Sequence, residues 1–164
     1  MALEIEHDGD SSLTLDDRFF PILITRWSGK PTLALAETYF RWHDLMLDRA
    51  AFEETKVVHV TDANGAKQPE ASVRKFLADS AAARSNVADL ALRSYVTLES
   101  KLVRGVLTVI GWVMGEAKSK PVMTASLEEA LTQALGDLDA SKIARPRGLD
   151  PQAYQRGLGL SVAS

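Results

Sequence analysis

The chain of 164 residues contains no cysteine. This absence excludes disulfides, thiolate metal sites and cysteine nucleophiles, and it favours a reducing compartment, so we expect a cytoplasmic protein. The first ten residues are acidic where a signal peptide would be basic, and no apolar core follows them. The longest apolar stretch, residues 102–114, contains Arg104, and a membrane-spanning helix needs roughly twenty apolar residues. We therefore expect no transmembrane segment.

The chain also lacks an excess of positive charge, with a net charge of −3 and a pI of about 5.6. A surface that binds nucleic acid would need such an excess, so a nucleic-acid partner is disfavoured. Enzyme signatures are missing as well. We find no Walker loop, no Gly-x-Gly-x-x-Gly motif after a strand and no Gly-x-Ser-x-Gly elbow. The sequence therefore predicts a protein that is not an enzyme and carries no cofactor.

The polar residues that most resemble catalytic or metal-binding groups have simpler interpretations. His7, His43 and His59 are too far apart in sequence to indicate a local metal site. His59 stands in an apolar segment, which favours a hydrogen-bonded core histidine. Asp16, Asp17 and Asp62 could converge at one edge of a sheet, but carboxylates in turns more often shape the turn. His7 and its acidic neighbours Asp8 and Asp10 are expected to form a solvated acidic end.

What the sequence does contain is an alternation of strand and helix patterns. Five segments rich in β-forming residues predict strands, at 13–15, 21–27, 56–61, 92–98 and 121–124. Four segments with apolar residues at helical spacing predict helices, at 32–50, 69–80, 102–114 and 126–138. Ser126 and Glu129 form a capping box at the start of the last helix.

The order of these elements, β-β-α-β-α-β-α-β-α, predicts the fold. Strands separated by helices pair in parallel through right-handed crossovers, whereas the first two strands form an antiparallel hairpin. We therefore expect one α/β domain over residues 1–140, with a mixed, mostly parallel sheet, an N-terminal hairpin and four helices. Residues 141–164 show no clear period. They predict either a flexible tail or a segment docked on this domain or on a neighbouring copy.

The helix predicted at 102–114 is apolar on most sides. One stripe holds Leu102, Val106, Val109 and Val113, and an adjacent stripe holds Val103, Leu107, Ile110 and Met114. Together they exceed the arc of about 100° that a surface helix buries. The tail, a second subunit or an apolar ligand could cover the rest. Trp112 on this helix marks a possible interface, and a homodimer is expected.

Three polar residues stand where the strand at 92–98 leads into this helix. Ser100, Lys101 and Arg104 lie at its start, and a helix N-terminus offers N–H groups to an anion. Basic residues in a first turn oppose the helix dipole. A possible anion-binding site would explain them, and solvated side chains are the simpler interpretation.

Three stretches of the chain resemble a known family. They are the strand and turn at 20–29, the central strand with its acidic loop at 57–65, and residues 100–112 followed by 120–130. This sequence resembles the STAS-like domains, including the SpoIIAA-like group and the anti-sigma-factor antagonists, over about residues 13–138. The resemblance implies a small regulatory module without catalytic activity. Such a module binds a protein partner through the loop after the central strand and the helix behind it.

On this chain the implied partner-binding residues are Asp62, Asn64, Gly65 and Lys67. In the anti-sigma antagonists, a serine at the start of the following helix is phosphorylated, and the added charge breaks the complex. Here no serine or threonine follows Asp62 within that loop. Thr61 and Ser72 are the nearest candidates, and both are expected to be poorly accessible. Asn64 and Gly65 together suit a left-handed turn.

Two functions follow from these observations. The first is a protein-interaction module, self-associating and part of a bacterial-type signalling or assembly complex. The alternative is a binder of a small apolar or anionic ligand, such as a lipid or a nucleotide, held near the helix at 102–114. A closed apolar pocket would favour the ligand, and a flat apolar patch around Trp112 would favour an interface.

Overall fold

The computed structural model describes residues 1–98 and 121–160. They contain a six-stranded sheet in which every strand lies beside its predecessor in sequence. The strands are β1 Leu3–Asp8, β2 Ser11–Asp16, β3 Ile22–Gly29, β4 Val57–Ala66, β5 Ala91–Thr97 and β6 Val122–Thr124. β1, β2 and β3 pair antiparallel, and β3 to β6 pair in parallel. The predicted mixed sheet with an antiparallel N-terminal part is confirmed.

Helices connect and cover these strands. They are α1 Leu33–Phe52, α2 Ala71–Ala82, a short 3-10 helix Ser85–Leu90, α3 Leu127–Ala140 and α4 Pro151–Leu160. The Thr32 hydroxyl caps α1 by accepting a hydrogen bond from Leu35 N at 3.3 Å. The Ser126 hydroxyl accepts from Glu129 N at 3.1 Å, which confirms the capping interaction predicted for α3. The helix predicted at 102–114 lies outside the described residues.

The sheet separates two hydrophobic cores because successive strand residues point to opposite faces. On β3, Leu23 and Trp27 pack toward α1 and α2, whereas Ile22 and Ile24 pack toward α3. We call the first side the aromatic face and the second the aliphatic face. No helix within residues 1–98 or 121–160 is long and apolar enough to cross a membrane.

The N-terminal segment differs from the prediction, because residues 3–8 form a strand. β1 pairs with β2 along its whole length, from Leu3 opposite Asp16 to Asp8 opposite Ser11. Gly9, with φ of 60°, lies in the turn that joins the two strands. All six residues of β1 are exposed, so the segment is solvated as expected. Its Leu3 and Ile5 alternate with acidic residues, which is a strand pattern, but the segment was assigned to a solvated end because of its acidic charge.

The predicted break at residues 62–65 is also wrong, because β4 continues to Ala66. Gly65 lies opposite Ser28 and Ala66 opposite Gly29, after a register shift between Arg26 and Ser28. β3 extends far enough to pair with the added residues, and that pairing holds them in a strand. Gly65 is not among the glycines with positive φ, so the expected left-handed turn is wrong.

The described part of the C-terminal segment packs on the aliphatic face. Ile143, Leu149 and Tyr154 contact the hydrophobic cluster of that face. The Tyr154 hydroxyl donates to Asp16 Oδ2 at 2.8 Å, and Gln155 Oε1 accepts from a backbone N–H of α3 at 2.8 Å. These contacts attach α4 both to the sheet and to α3.

Candidate functional site

The carboxyl ends of the parallel strands carry a row of polar residues. Arg26 lies opposite Asp62, Asp62 opposite Thr97, and Thr97 opposite Thr124. Directly opposed residues on neighbouring strands point to the same face, here the aliphatic one. Arg26 Nε lies 3.4 Å from Asp62 Oδ2, and the two threonine hydroxyls are 3.0 Å apart. Ligand sites of open α/β sheets commonly lie at this edge.

Asp62 has a structural part in this row. Its side chain is buried, and its Oδ1 accepts a hydrogen bond from the backbone N–H of Asn64 at 3.0 Å. Together with Arg26, this bond holds the point where β4 passes beyond β5. The sequence placed Asp62 on the partner-binding surface, whereas in the structure its carboxylate lies within the fold and acts on the residues that follow.

The residues that follow Asp62 are exposed, and hydrogen bonds fix their backbone against β3. Asn64, Gly65 and Lys67 are exposed, and Lys67 N donates to Gly29 O at 2.9 Å. A Cβ added to Gly65 would lie 3.1 Å from Trp27 O, so β3 and β4 approach closely here. Contacts with β3 therefore fix residues 64–67, which we call the ledge. Only the outer side of the ledge is accessible to a partner.

Charged side chains of two other elements border this ledge. Lys30, which follows β3, pairs with Glu70 at 2.7 Å, and Glu70 is the N-cap residue of α2. The backbone oxygen of Lys30 accepts a hydrogen bond from the hydroxyl of Ser11 at 2.7 Å. We call Lys30, Asn64, Gly65, Lys67 and Glu70 the edge platform. Three separate parts of the chain meet in it.

The two hydroxyl residues near the platform have different environments. Thr61 is buried and shares a hydrogen bond of 3.1 Å with Thr25, so its predicted inaccessibility is confirmed. Ser72 is exposed in the first turn of α2, so the same expectation is wrong for it. The helix begins at Ala71 and not at Pro69, which moves Ser72 from the helix interior to its solvent-facing start.

Four of the predicted site residues fall in the segment that the structure does not describe. Trp112 was expected at an interface, and Ser100, Lys101 and Arg104 at an anion site; all four lie outside residues 1–98 and 121–160. The alternative function, a small ligand near the helix at 102–114, depends on the same segment.

The acidic residues Asp16 and Asp62 do not share a site. Asp16 is fully buried, and Arg18 binds it through Nε at 2.9 Å and through Nη2 at 2.8 Å. Asp62 has its own arginine, Arg26. The charge of each carboxylate is therefore neutralised by its own arginine. Within residues 1–98 and 121–160, no group of three or more His, Asp and Glu side chains is placed to hold a metal ion.

Sequence reasoning missed a pair of stacked histidines on the aromatic face. The rings of His43 on α1 and His59 on β4 lie 5.1 Å apart with an angle of 22° between their planes. His43 Nδ1 is buried and 3.7 Å from Asp44 Oδ1, too far for a hydrogen bond. The sequence signal for this stack is the position of His43, four residues after the buried Tyr39, which puts both residues on one face of α1.

Burial keeps both imidazoles uncharged. It lowers the pKa of His59 to about 3, with a smaller contribution from His43, and it lowers the pKa of His43 as well. Beside the stack, Arg84 binds Asp44 through two nitrogens at 2.6 and 2.7 Å. This ion pair holds the pKa of Asp44 below its usual value. The stack is a buried, acid-sensitive element of the core.

Comparison with solved structures supports the fold. The chain is similar to an uncharacterized protein of the DUF3478 family, with a SpoIIAA-like fold, from Shewanella loihica PV-4. The TM-score is 0.50 at 16% sequence identity, over 81% of this chain and 92% of that chain. No known protein family and no curated protein matches the sequence. The structure therefore has the SpoIIAA-like fold that the sequence resemblance predicted.

Proposed function

We propose that this protein is a non-catalytic interaction module that binds a protein partner through the edge platform. The observation that carries the proposal is the ledge of β4, where Asn64, Gly65 and Lys67 are exposed on a backbone that is hydrogen-bonded to β3. A preorganised surface loses little conformational entropy when it binds, and this favours affinity. The SpoIIAA-like fold is consistent with this role.

The chemistry of the platform favours a polar partner surface. Lys67 and Asn64 are exposed polar residues, and the Lys30–Glu70 ion pair lies near them. Exposed ion pairs contribute little to stability, so their side chains can exchange partners at low cost. We propose that the partner supplies carboxylate or carbonyl groups to Lys67. A regulatory role in a bacterial-type complex and self-association belong to the same proposal.

A photo-crosslinking amino acid at position 64 or 67 tests the proposal in cells. We expect a specific crosslinked partner from both positions. We expect none from position 56, which is exposed just before β4, at the opposite end of the strand. The double variant Asn64→Ala, Lys67→Glu should weaken binding of the captured partner at least tenfold and leave the melting temperature unchanged. Equal crosslinking from position 56, or loss of binding only together with unfolding, would contradict the proposal.

A further inference from the structure

The edge strand β1 presents an open side. Its inner side pairs with β2 over all six residues, and within residues 1–98 and 121–160 no strand pairs with its outer side. Leu3 and Ile5 are 45% and 55% exposed. An open strand edge carries unpaired N–H and C=O groups that can hydrogen-bond to another extended chain.

The hydrogen bonds at the end of the β1–β2 pair show which backbone groups face outward. Asp17 N donates to Ala2 O at 3.1 Å, so residues 2 and 17 form a hydrogen-bonded pair. Bonded and non-bonded pairs alternate along an antiparallel ladder. The even-numbered residues of β1 therefore bond to β2, and Leu3, Ile5 and His7 direct their backbone groups to the outer edge.

The side chains of β1 divide by chemistry between the two faces. Glu4 lies opposite Leu15, Glu6 opposite Leu13 and Asp8 opposite Ser11. Leu13 and Leu15 belong to the core of the aromatic face, so the three acids lie on that side. Leu3, Ile5 and His7 lie on the aliphatic side. The strand thus has an acidic and a mostly apolar face, both exposed.

We propose that β1 is a docking site for an extended basic segment of a protein partner, which adds a seventh strand antiparallel to β1. The backbone of that segment would bond to Leu3, Ile5 and His7. Alternate lysine or arginine side chains would lie beside the three acids, and the apolar side chains between them would cover Leu3 and Ile5. Strand addition of this kind takes affinity from the backbone and specificity from alternate side chains.

The charge pattern excludes a second copy of this chain as the occupant. In antiparallel pairing through the outward groups, odd-numbered residues of one copy oppose odd-numbered residues of the other, and even-numbered oppose even-numbered. Glu4, Glu6 and Asp8 would then face the same acids of the partner copy, and opposed like charges destabilise a sheet. A basic segment reverses this interaction. The exposed Leu3 and Ile5 add apolar area that a purely protective, charged edge would not need.

Synthetic peptides test the docking site on the full-length protein. We expect an alternating peptide, Lys-Val-Lys-Val-Lys-Val-Lys, to bind and to slow amide hydrogen exchange at Leu3, Ile5 and His7. Its affinity should fall as salt is added, because salt screens the charges. A peptide of the same composition with its lysines and valines in separate blocks should bind at least tenfold more weakly. Equal binding of the two peptides, or no protection of these amides, would overturn the proposal.

Two variants separate the backbone from the charge contribution. Ile5→Pro removes an outward N–H without touching the bonds to β2, since proline is tolerated at strand edges, and it should weaken the alternating peptide at least tenfold. Glu4→Lys combined with Glu6→Lys should abolish binding of the lysine peptide and create binding of Glu-Val-Glu-Val-Glu-Val-Glu. Unchanged binding in either variant would overturn the proposal. So would a wild-type dimer that Ile5→Pro dissociates, because the occupant would then be a second copy.

Discussion

The two faces of the sheet bury apolar side chains of different chemistry. The aromatic face is built from rings, with Tyr39 in contact with Trp27, Phe40 and Trp42 at centroid distances of 5.1 to 6.5 Å. The aliphatic face is built from branched side chains, among them Ile24, Val60, Leu131 and Leu138.

The faces also differ in how they treat buried polar groups. On the aliphatic face, three such groups take part in hydrogen bonds with a charged member: Asp16 accepts from Arg18 and from the Tyr154 hydroxyl, and the Tyr95 hydroxyl donates to Asp137. On the aromatic face, His43 and His59 stack as neutral rings. A paired charge and an uncharged base both avoid the cost of a lone buried ion. They respond to pH and to mutation differently, and two predictions test that difference.

The largest expected effect is acid destabilisation from the histidine stack. Since burial lowers the pKa of His59 to about 3, the unfolded chain, with a histidine pKa of about 6.5, binds a proton that the folded chain does not. The contribution of the uncharged His59 to the free energy of unfolding is therefore present above pH 6.5 and is lost as the pH falls toward 3. Between pH 7.5 and 4.5 the free energy of unfolding should fall by about 2.5 kcal/mol from this group.

Urea unfolding across that pH range measures the effect. In His59→Leu, the loss of stability between pH 7.5 and 4.5 should be smaller than in the wild type by about 2.5 kcal/mol, whatever the variant's stability at neutral pH. His7→Gln is the matched control, because His7 is exposed on β1. A variant with the wild-type pH dependence would show that the stack is not the acid-sensitive element.

A smaller effect is expected on the aliphatic face from the hydroxyl of Tyr154. Tyr154→Phe removes its 2.8 Å bond to Asp16 and keeps the ring contact with Phe19 at 5.8 Å. A hydrogen bond to a charged group contributes about 1.5–3 kcal/mol, and Arg18 still binds Asp16 in the variant, so we expect a loss of about 1.5 kcal/mol. Urea denaturation at pH 7 measures it. A change as small as in the exposed control Gln152→Ala would mean that the bond does not stabilise the docked helix.

The smallest effect is expected at the edge of the sheet. It tests whether this edge is packed as closely as the two faces. A Cβ at position 65 would lie 3.1 Å from Trp27 O and 3.3 Å from Ser28 Oγ. Gly65→Val should therefore destabilise the protein by about 1 kcal/mol, whereas the exposed neighbour Asn64→Ala should change it by less than about 0.5 kcal/mol. Denaturation curves of the two variants decide the ranking. Equal stabilities would indicate a mobile ledge and weaken the case for a preorganised platform.

Much of the fold could be predicted because local pattern and burial agree. The strand at 57–61 is a run of buried residues, and Ser126 with Glu129 marks the start of α3 as its capping geometry requires. β1 escaped prediction because its acidic residues indicated a solvated end, and none of its six residues is buried in the core. The extension of β4 escaped because Asn64 and Gly65 are typical turn residues, and only pairing with β3 keeps them extended.

The position of the candidate site could be predicted from the sequence, but only some of its residues could. The resemblance located it at the end of the central strand, and Asn64, Gly65 and Lys67 are exposed there. Lys30 and Glu70 could not be added from sequence, because they meet the ledge only through the folding of separate elements. Asp62 was placed on the surface because a lone aspartate after a strand gives no sign that Arg26 lies opposite it.

The sequence by itself determined the order of β2 to β6, α1, α2 and α3 and the cap of α3, since each depends on neighbours within a few residues, and its lack of cysteine excluded disulfides. Tertiary structure decided what depends on distant partners. It turned an acidic opening into an edge strand, stacked His43 on His59, and brought Tyr154 to Asp16, 138 positions away in sequence. Local spacing specifies a helix or a strand. Only the packed chain determines which polar groups come into contact and which surfaces are exposed to a partner.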